Sequence, residues 1–250
     1  MHKTLAIISS AALALASLAF VLPASGYLEP SSGGCVSVST SRGTLTAAVV
    51  ATSSQTVRGD VNATNCDIGV YVGAGVSGVT VTATVHDANR FGIYNDGGEV
   101  IVDGSTVSKI GNHAGGVYAP NGVQTGIGVL FDPASSGMII NSAIYNYQKG
   151  GIVVKGAGTS AVVSGNTVTG AGRIDYIAQN GIQISAGAVA ELLNNTVTGH
   201  FYETGPNMAQ NNGPWISCGL LFYLSGMPNS ASQAMSVNVV RKNQVNLCNF

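Results

Sequence analysis

The sequence predicts an all-β solenoid in which short strands stack into about seven to eight rungs. A phrase recurs along the chain, most clearly as Val-Ser-Gly-Asn-Thr-Val-Thr-Gly at 163–170 and as Leu-Leu-Asn-Asn-Thr-Val-Thr-Gly at 192–199. A second phrase, a glycine followed by apolar or alternating residues, comes after most copies, as at Gly151–Val154. No sustained helical periodicity follows the N-terminus. Such repeats indicate units that bury their apolar sides by stacking on one another.

The valine or isoleucine of the first phrase sets the length of a rung. The steps from Val61 to Val85 and from Val85 to Val107 define a bare rung, so the longer steps that follow indicate rungs with insertions. Asn166, Asn195 and Asn243 each stand two residues before an anchor, which favours a structural ladder of side-chain amides. We expect the anchors to form a dry interior column, consisting of Val61, Val85, Val107, Ile144, Val168 and Val197, with Val245 as the last copy.

The N-terminal segment has the pattern of an export signal. His2 and Lys3 precede an apolar stretch from 5 to 22, and Ala24-Ser25-Gly26 offers a small-residue cleavage site. A retained membrane span is the alternative, but Pro23 interrupts the stretch and no basic flank follows. We therefore expect a signal peptide at 1–26, an N-terminal cap and first rung at 27–60, and a β-helix domain at 61–250. No membrane span is expected after signal removal.

The composition favours a protein that meets neutral or sugar-like surfaces outside the cell. Charged residues make up 8% of the chain, against about 25% in ordinary soluble proteins, and the net charge is −1. Nucleic-acid binding needs a strongly basic face, so that class of partner is not expected. A secreted, periplasmic or cell-surface location follows from the signal and this composition.

The four cysteines are spaced as two pairs, one near each end of the chain. Cys35 is separated from Cys66, and Cys218 from Cys248, by close to one rung with a small insertion. Four cysteines allow three pairings, but only this one joins adjacent rungs. We expect two disulfides that staple the terminal rungs, each worth about 3–4 kcal/mol. A metal site is the rival interpretation, but no CxxC spacing supports it.

Three insertions lie between a first-phrase copy and the next glycine strand, at Gly111–Thr125, Gly170–Asn180 and Gly199–Ser217. If the rungs stack in register, these loops leave one side of the solenoid, and loops on a rigid scaffold often carry function. The alternative is that the loops are surface insertions that the fold tolerates and that have no function. Polar, aromatic and ionisable residues gather in the loops: Asn112, His113, Tyr118, Gln124, Arg173, Asp175, Tyr176, Gln179, Asn180, His200, Tyr202, Glu203 and Trp215.

A basic column is expected beside these loops. Five residues beyond successive anchors stand Cys66, Arg90, Asn112, Lys149, Arg173 and Tyr202, of which three are basic. Kept offsets would stack Lys149 and Arg173 on consecutive rungs about 5 Å apart. Two cations that close repel unless an anion or a carboxylate such as Asp175 lies between them. An exposed Arg173–Asp175 pair of little energetic value is the alternative.

No cofactor is expected. The sequence Asn95-Asp96-Gly97-Gly98-Glu99 could bind calcium through its oxygens. The same residues are ordinary turn chemistry, and we favour the turn.

The phrase Gly-Asn-Thr-Val-Thr-Gly with its Gly-Ile strands resembles the secreted right-handed parallel β-helix repeat proteins of the pectin lyase-like superfamily, over roughly residues 55–250. The resemblance implies a single-stranded right-handed parallel β-helix. It implies no particular activity, because that superfamily includes polysaccharide lyases, glycoside hydrolases and catalytically silent adhesins. The adjacent Asp-Asp pair, Gly-His-Gly and Arg-Ile-Lys of polygalacturonase-like hydrolases are missing, and Arg173-Ile174-Asp175 is not the last of these.

Two functions from different classes remain, with ice binding a distant third. The protein binds or processes an extracellular polysaccharide, or it is a non-catalytic surface, adhesion or structural module. A lyase acting on an acidic polysaccharide needs a base and a cation that neutralises developing charge. Lys149 or His200 would be the base and Arg173 the cation, with sugar platforms at Tyr176, Tyr202 and Trp215. The sequence leaves open whether the protein is an enzyme and which oligomeric state it adopts.

Overall fold

A computed structural model describes residues 26–28, 34–203, 215–225 and 235–250. The signal-peptide prediction lies outside the described residues, apart from Gly26. The described residues contain no helix long and apolar enough to cross a membrane, and residues 235–237 are helical. The strands are β1 (Gly26–Leu28), β2 (Val36–Thr40), β3 (Gly43–Ala51), β4 (Gln55–Asn62), β5 (Ile68–Val72), β6 (Val79–His86), β7 (Phe91–Asn95), β8 (Glu99–Asp103), β9 (Thr106–Ile110), β10 (His113–Ala114), β11 (Val117–Tyr118), β12 (Ile127–Phe131), β13 (Ser136–Ile140), β14 (Ala143–Tyr147), β15 (Gly150–Lys155), β16 (Ser160–Ser164), β17 (Thr167–Ile174), β18 (Asn180–Ser185), β19 (Val189–Leu193), β20 (Thr196–Tyr202), β21 (Cys218–Tyr223), β22 (Val239–Val240) and β23 (Val245–Asn249).

The strands form three parallel faces of a coil, as the repeats predict. Face 1 contains the first halves of β4 and β6 with β8, β13, β16 and β19. Face 2 contains the second halves of β4 and β6 with β9, β14, β17, β20 and β22. Face 3 contains β3, β5, β7, β12, β15, β18, β21 and β23. The chain passes from face 3 to face 1 to face 2 in each coil, and the eight strands of face 3 agree with the expected number of rungs.

The interior column predicted from the first phrase is confirmed. Val61 pairs with Val85, and the register continues through every anchor to Val197. All six anchors are 0% exposed. The last copy was placed wrongly, because Val240 pairs with Val197 on face 2, whereas Val245 pairs with Cys218 on face 3.

An asparagine ladder closes the corner between faces 1 and 2. Asn166 Nδ2 donates to Asn195 Oδ1 at 2.9 Å, and Asn195 Nδ2 donates to Asn238 Oδ1 at 2.8 Å. The third member is therefore Asn238, and the prediction of Asn243 is wrong for the same reason as that of Val245. These buried amides also bond backbone carbonyls of face 1, so the ladder satisfies the corner without water.

The second phrase begins with glycine because the coils approach closely where face 3 starts. A Cβ on Gly92 would lie 2.5 Å from the carbonyl oxygen of Gly128, and one on Gly128 would lie 2.7 Å from that of Gly151. Those neighbours are backbone atoms of the next coil and cannot move aside. Any side chain here would push the coils apart, which explains the recurrence of glycine.

A hairpin of β2 and β3 covers the outer side of face 3 at the N-terminal end. Its Val38 and Leu45 pack on Tyr71, Tyr94 and other outward side chains of face 3, which are buried as a result. The hairpin tip is fixed by ion pairing, since Arg42 Nε lies 2.5 Å from Asp132 Oδ2 and the Asp132 side chain is 3% exposed. This hairpin lies within residues 27–60, the range expected for the N-terminal cap and first rung.

Both predicted disulfides are present. Cys35 is bonded to Cys66 and Cys218 to Cys248, with Cα–Cα distances of 5.5 and 5.9 Å. Each lies near one end of the coil, where a terminal rung lacks a neighbour on one side. The described residues contain no free cysteine.

Candidate functional site

The three insertions share one corner of the coil, between faces 2 and 3, which we call the loop-bearing corner. The first insertion follows β9, and the second and third begin within β17 and β20 on face 2. The three lead into β12, β18 and β21 on face 3. Residues 204–214 of the third insertion lie outside the described residues. The first two loops touch, because a Cβ on Gly122 would lie 3.1 Å from the carbonyl oxygen of Tyr176. The expectation of one loop-bearing side is therefore met in the described part of the chain.

Three glutamines hold the bases of these loops. Gln148 Oε1 accepts from the backbone amides of Asn112 and Asn121 in the first loop. Gln179, which is 0% exposed, accepts from the amide of Ala171 and donates to the carbonyl oxygen of Tyr147. Gln244 Oε1 accepts from the amides of residues 202 and 217 at the two ends of the third loop. The loops are thus fixed to the coil by side chains of the same corner.

A cleft of about 390 Å³ opens between the loops. Its lining side chains combine aromatic rings, one amine and one amide around a small apolar floor. Five of the seven lining residues belong to the site predicted from the sequence. The described lining residues are Gln124, Lys149, Tyr176, Ile177, Ala178, Tyr202 and Trp215.

Among the described residues that line the cleft, Lys149 has the only charged side chain. Its Nζ donates to the carbonyl oxygen of Ala178 at 2.8 Å. Burial lowers the pKa of Lys149 because the ammonium is partly removed from water. Among the described residues it forms no ion pair, unlike Arg42, Arg90, Lys109 and Arg173. The cleft therefore holds a cation that no described carboxylate neutralises.

Aromatic side chains form the walls of the cleft. Trp215 is 66% exposed, and Tyr176 and Tyr202 are half-buried. Burial, together with the charge of Asp175, raises the pKa of Tyr176, so its hydroxyl stays protonated at neutral pH. Such rings offer flat apolar surface with polar tips, the combination found in binding pockets for small polar molecules.

His200 does not lie with these exposed residues, so that part of the sequence interpretation is wrong. It is 0% exposed and stacks on Tyr147, whose hydroxyl contacts its Nε2, while Nδ1 lies 2.7 Å from Asn243 Oδ1. Burial lowers the pKa of His200 to about 4. The physical reason is Gly199, whose φ of 84° breaks the strand alternation and turns the next side chain inward.

The predicted basic column is also wrong. A register shift between Thr169 and Gly172 pairs Arg173 with Phe201 on β20, whereas Lys149 precedes β15 on face 3. Arg173 contacts Glu203 in an ion pair, and its guanidinium lies 5.3 Å from the centroid of the Phe201 ring. Asp175 is exposed, and the described ion pairs do not join it to Arg173. Arg173 and Glu203 therefore fix the start of the third loop.

The remaining predicted residues shape the loops and do not line the cleft. Asn112 Nδ2 donates to the carbonyl oxygen of Ala119 across the first loop. His113 Nδ1 lies 2.9 Å from the carbonyl oxygen of Gly111, and Tyr118 packs on the His113 ring. Asn180 Oδ1 accepts from the Cys218 amide on the next coil.

Two lining residues were missed by the sequence analysis, namely Ile177 and Ala178. Ala178 contributes its carbonyl oxygen, and Ile177 is a buried apolar residue within a polar loop. Neither residue type signals a site, because backbone acceptors occur at every position. Only the bend of the second loop brings that carbonyl to Lys149.

The turn at residues 95–99 has structural partners for its oxygens. Asp96 Oδ1 accepts from Ser41 Oγ at 2.5 Å and from the Tyr94 hydroxyl at 3.1 Å, and Asn95 Oδ1 accepts from the Gly98 amide. These contacts agree with the favoured turn interpretation. Within the described ranges, no group of three His, Cys, Asp or Glu side chains is placed to hold a metal ion.

The family of the chain follows from its fold and its sequence. The family described as right-handed β-helix region matches residues 31–226, which is well over half of the chain. The chain therefore belongs to the right-handed β-helix family. No curated protein and no solved structure gives a significant match.

Proposed function

We propose that the protein is exported and that it binds an acidic extracellular polysaccharide in the cleft at the loop-bearing corner. One observation carries the proposal: Lys149 has no described carboxylate partner and lies in a cleft walled by three aromatic side chains. Export is supported by the basic start, the apolar stretch and the small-residue cleavage site at the N-terminus.

The aromatic walls suit a sugar ring. A pyranose presents an apolar face of C–H groups and a rim of hydroxyls. Trp215, Tyr176 and Tyr202 offer flat apolar surface to the face, and their polar atoms and Gln124 offer hydrogen bonds to the rim. Glutamine side chains bond the backbone at the described bases of these loops, which reduces the ordering that binding requires there.

The amine favours a sugar that carries a carboxylate. Lys149 retains two N–H donors beyond its bond to Ala178, and a bound uronate would supply the missing counter-charge. An ion pair in a partly water-excluded cleft is stronger than one on the open surface. The low overall charge of the protein makes this local cation the main electrostatic feature of the lining.

Binding is better supported than turnover. Elimination from a uronate needs a base and, in addition, a cation that neutralises the sugar carboxylate. Lys149 with its lowered pKa could serve in either role, but the described lining residues include no second cation. His200 is enclosed in the core and Arg173 is engaged by Glu203. We therefore propose binding, and the experiment below also tests for lyase activity.

The chain contains one tryptophan, so its fluorescence reports on the cleft directly. Polygalacturonate, alginate and an uncharged glucan would be titrated separately into the mature protein. We expect the two uronates to change the emission saturably and the glucan to have a much weaker effect. Equal responses to the three polysaccharides, or no response to any of them, would refute the proposal. Growth of ultraviolet absorbance from an unsaturated product would show turnover as well.

A matched pair of tyrosine variants locates the response. Tyr176→Ala removes a wall of the cleft, whereas Tyr223→Ala removes a 49% exposed tyrosine of β21 that does not line it. We expect Tyr176→Ala to weaken uronate binding about tenfold, which is about 1.4 kcal/mol. Tyr223→Ala should bind as the wild type does. Equal losses in both variants would place the uronate outside the cleft.

A further inference from the structure

A second depression lies on the loop-bearing corner, nearer the N-terminal end of the coil. It has a volume of about 480 Å³ and lies between the β10–β11 hairpin and the ends of the face 2 strands β6, β9 and β14. We call it the hairpin groove. It is lined by Asp87, Lys109, Gly116, Val117, Tyr118 and Asn146.

The floor of the hairpin groove is a row of three polar side chains on successive coils. His86 pairs with Ser108 and Ser108 with Tyr145, so Asp87, Lys109 and Asn146 occupy equivalent positions. All three have left-handed backbone conformations, with φ of 62°, 54° and 50°. Non-glycine residues seldom adopt this conformation, and its recurrence gives the three side chains the same place at the corner.

Neighbouring side chains hold Asp87 in place. Its Oδ2 lies 2.5 Å from His86 Nδ1, and its Oδ1 lies 3.3 Å from His113 Nε2. His86 Nε2 lies 3.0 Å from Asp60, and Lys109 Nζ lies 4.0 Å from Asp87. Burial opposes ionisation of Asp87, but its hydrogen bonds with the two histidines outweigh burial and lower its pKa.

The floor is consequently polar, ordered and nearly balanced in charge. Lys109 keeps half of its side chain exposed, at 53%, and Asn146 is exposed, so both can bond a ligand. The Asp87 carboxylate has Lys109 beside it and both histidine rings within hydrogen-bonding distance, so its charge is partly offset for an anion that enters the groove.

The wall of the hairpin groove connects it to the cleft. Val117 is 68% exposed on the hairpin and offers apolar surface to a ligand in the groove. The loop that contains the hairpin also touches the second loop, because a Cβ on Gly122 would lie 3.1 Å from the carbonyl oxygen of Tyr176, which lines the cleft. The two depressions are therefore neighbours on one side of the coil.

We propose that the hairpin groove is a second subsite for the same acidic polysaccharide, which takes a sugar residue distant from the one in the cleft. The inference rests on the proposed function of the cleft. A glycan running along the coil axis would meet Asp87, Lys109 and Asn146 one coil apart, about 4.8 Å per step, a spacing close to the length of one sugar residue. From the coil of Asp87 to that of Tyr202 is four steps, about 19 Å.

The inference predicts that affinity depends on chain length. A short oligomer can occupy only one subsite, whereas a longer one pays the entropic cost of association once and gains contacts at both. We expect an octagalacturonate to bind at least about tenfold more tightly than a trigalacturonate, which is about 1.4 kcal/mol.

The test measures both oligomers by tryptophan fluorescence with wild type, Lys109→Gln, Val117→Ser and a control, Lys155→Gln, outside both depressions. The two groove variants should lower the affinity for the octamer by about tenfold and leave that for the trimer unchanged. Melting temperatures would show that each variant is folded. Lys155→Gln should match wild type with both probes.

The outcomes separate the two proposals. If wild type binds trimer and octamer equally, or if the groove variants bind the octamer as tightly as wild type, the subsite is refuted and the cleft stands. Equal losses for both oligomers also refute a separate subsite. If wild type binds neither oligomer, the proposed function itself fails, and the subsite fails with it.

Discussion

Two corners of the same coil use polar residues differently. The corner between faces 3 and 1, which we call the tight corner, is closed by short turns such as Asn95–Glu99. Two of its carboxylates are engaged by the N-terminal hairpin, Asp96 by Ser41 and Asp132 by Arg42. At the loop-bearing corner Lys149 has only a carbonyl oxygen as partner among the described residues, beside an exposed tryptophan.

The difference separates structural polar groups from candidate functional ones. A buried charge with a complete set of partners stabilises the coil that surrounds it. A partly buried charge without a counter-ion costs free energy in the empty protein and is compensated when an anionic ligand binds. Strand β15 runs between the two corners, since Lys149 precedes it at the loop-bearing corner and Lys155 ends it at the tight corner.

The largest expected effect comes from the core that both corners share. Ile144→Ala removes a side chain that is 0% exposed in the interior column, and the cavity should cost about 2–4 kcal/mol. Urea denaturation would measure the loss in free energy of unfolding. Uronate affinity of the folded fraction should not change. A loss of affinity at full folding would mean that the cleft depends on core packing.

Acid should destabilise the interior of the loop-bearing corner. His200 has a pKa of about 4 in the folded protein against about 6.5 when unfolded, so the unfolded chain binds the proton first. Stability should fall as the pH drops from 6.5 to 4, by about 3 kcal/mol in all, and then level off.

The variant His200→Gln isolates this contribution. His86 titrates in the opposite sense, because its hydrogen bonds to Asp87 and Asp60 outweigh burial and raise its pKa. The unfolding free energy of both proteins would be measured from neutral pH down to the pKa of His200. Subtracting one curve from the other removes the contributions of groups that both proteins share, such as His86. If both proteins showed the same pH dependence, protonation of His200 would not lower the stability of the folded protein, and the prediction would be wrong.

At the tight corner, removal of the hairpin arginine should cost about 2 kcal/mol. The Asp132 side chain is 3% exposed. In Arg42→Ala its carboxylate loses the described cationic partner and keeps the hydrogen bond from the Tyr94 hydroxyl. Arg90→Ala is the control, because the Arg90–Asp67 pair is more exposed and should be worth less than about 1 kcal/mol. Thermal unfolding that ranks the two variants in the reverse order would contradict the structural role of Arg42.

The fold was predictable because it repeats. Val168 and Val197 lie in near-identical phrases, and a repeated unit must repeat its environment, so the interior column and both disulfides followed from spacing alone. The prediction for Val245 is wrong because the third insertion changes the spacing. Val240, which has no matching phrase, occupies the next position of the interior column.

The site was only partly predictable because insertions break the register that the repeats supply. The loop-bearing side could be inferred, and Lys149, Tyr176 and Trp215 do line one cleft. Arg173 was misplaced by a bulge and His200 by the bend at Gly199, each of which reverses the side that a strand residue faces. Neither irregularity leaves a signal in the length of the repeat.

The central claim is that Lys149, which has no described counter-ion, binds a uronate at the loop-bearing corner. A comparison of Lys149→Met with Lys155→Met tests it most directly. The two variants remove one ammonium each, from opposite ends of the same strand. In a titration with polygalacturonate, Lys149→Met should bind at least about tenfold more weakly than wild type, at an unchanged melting temperature, and Lys155→Met should bind normally. Wild-type affinity in Lys149→Met, or equal losses in both variants, would contradict the account.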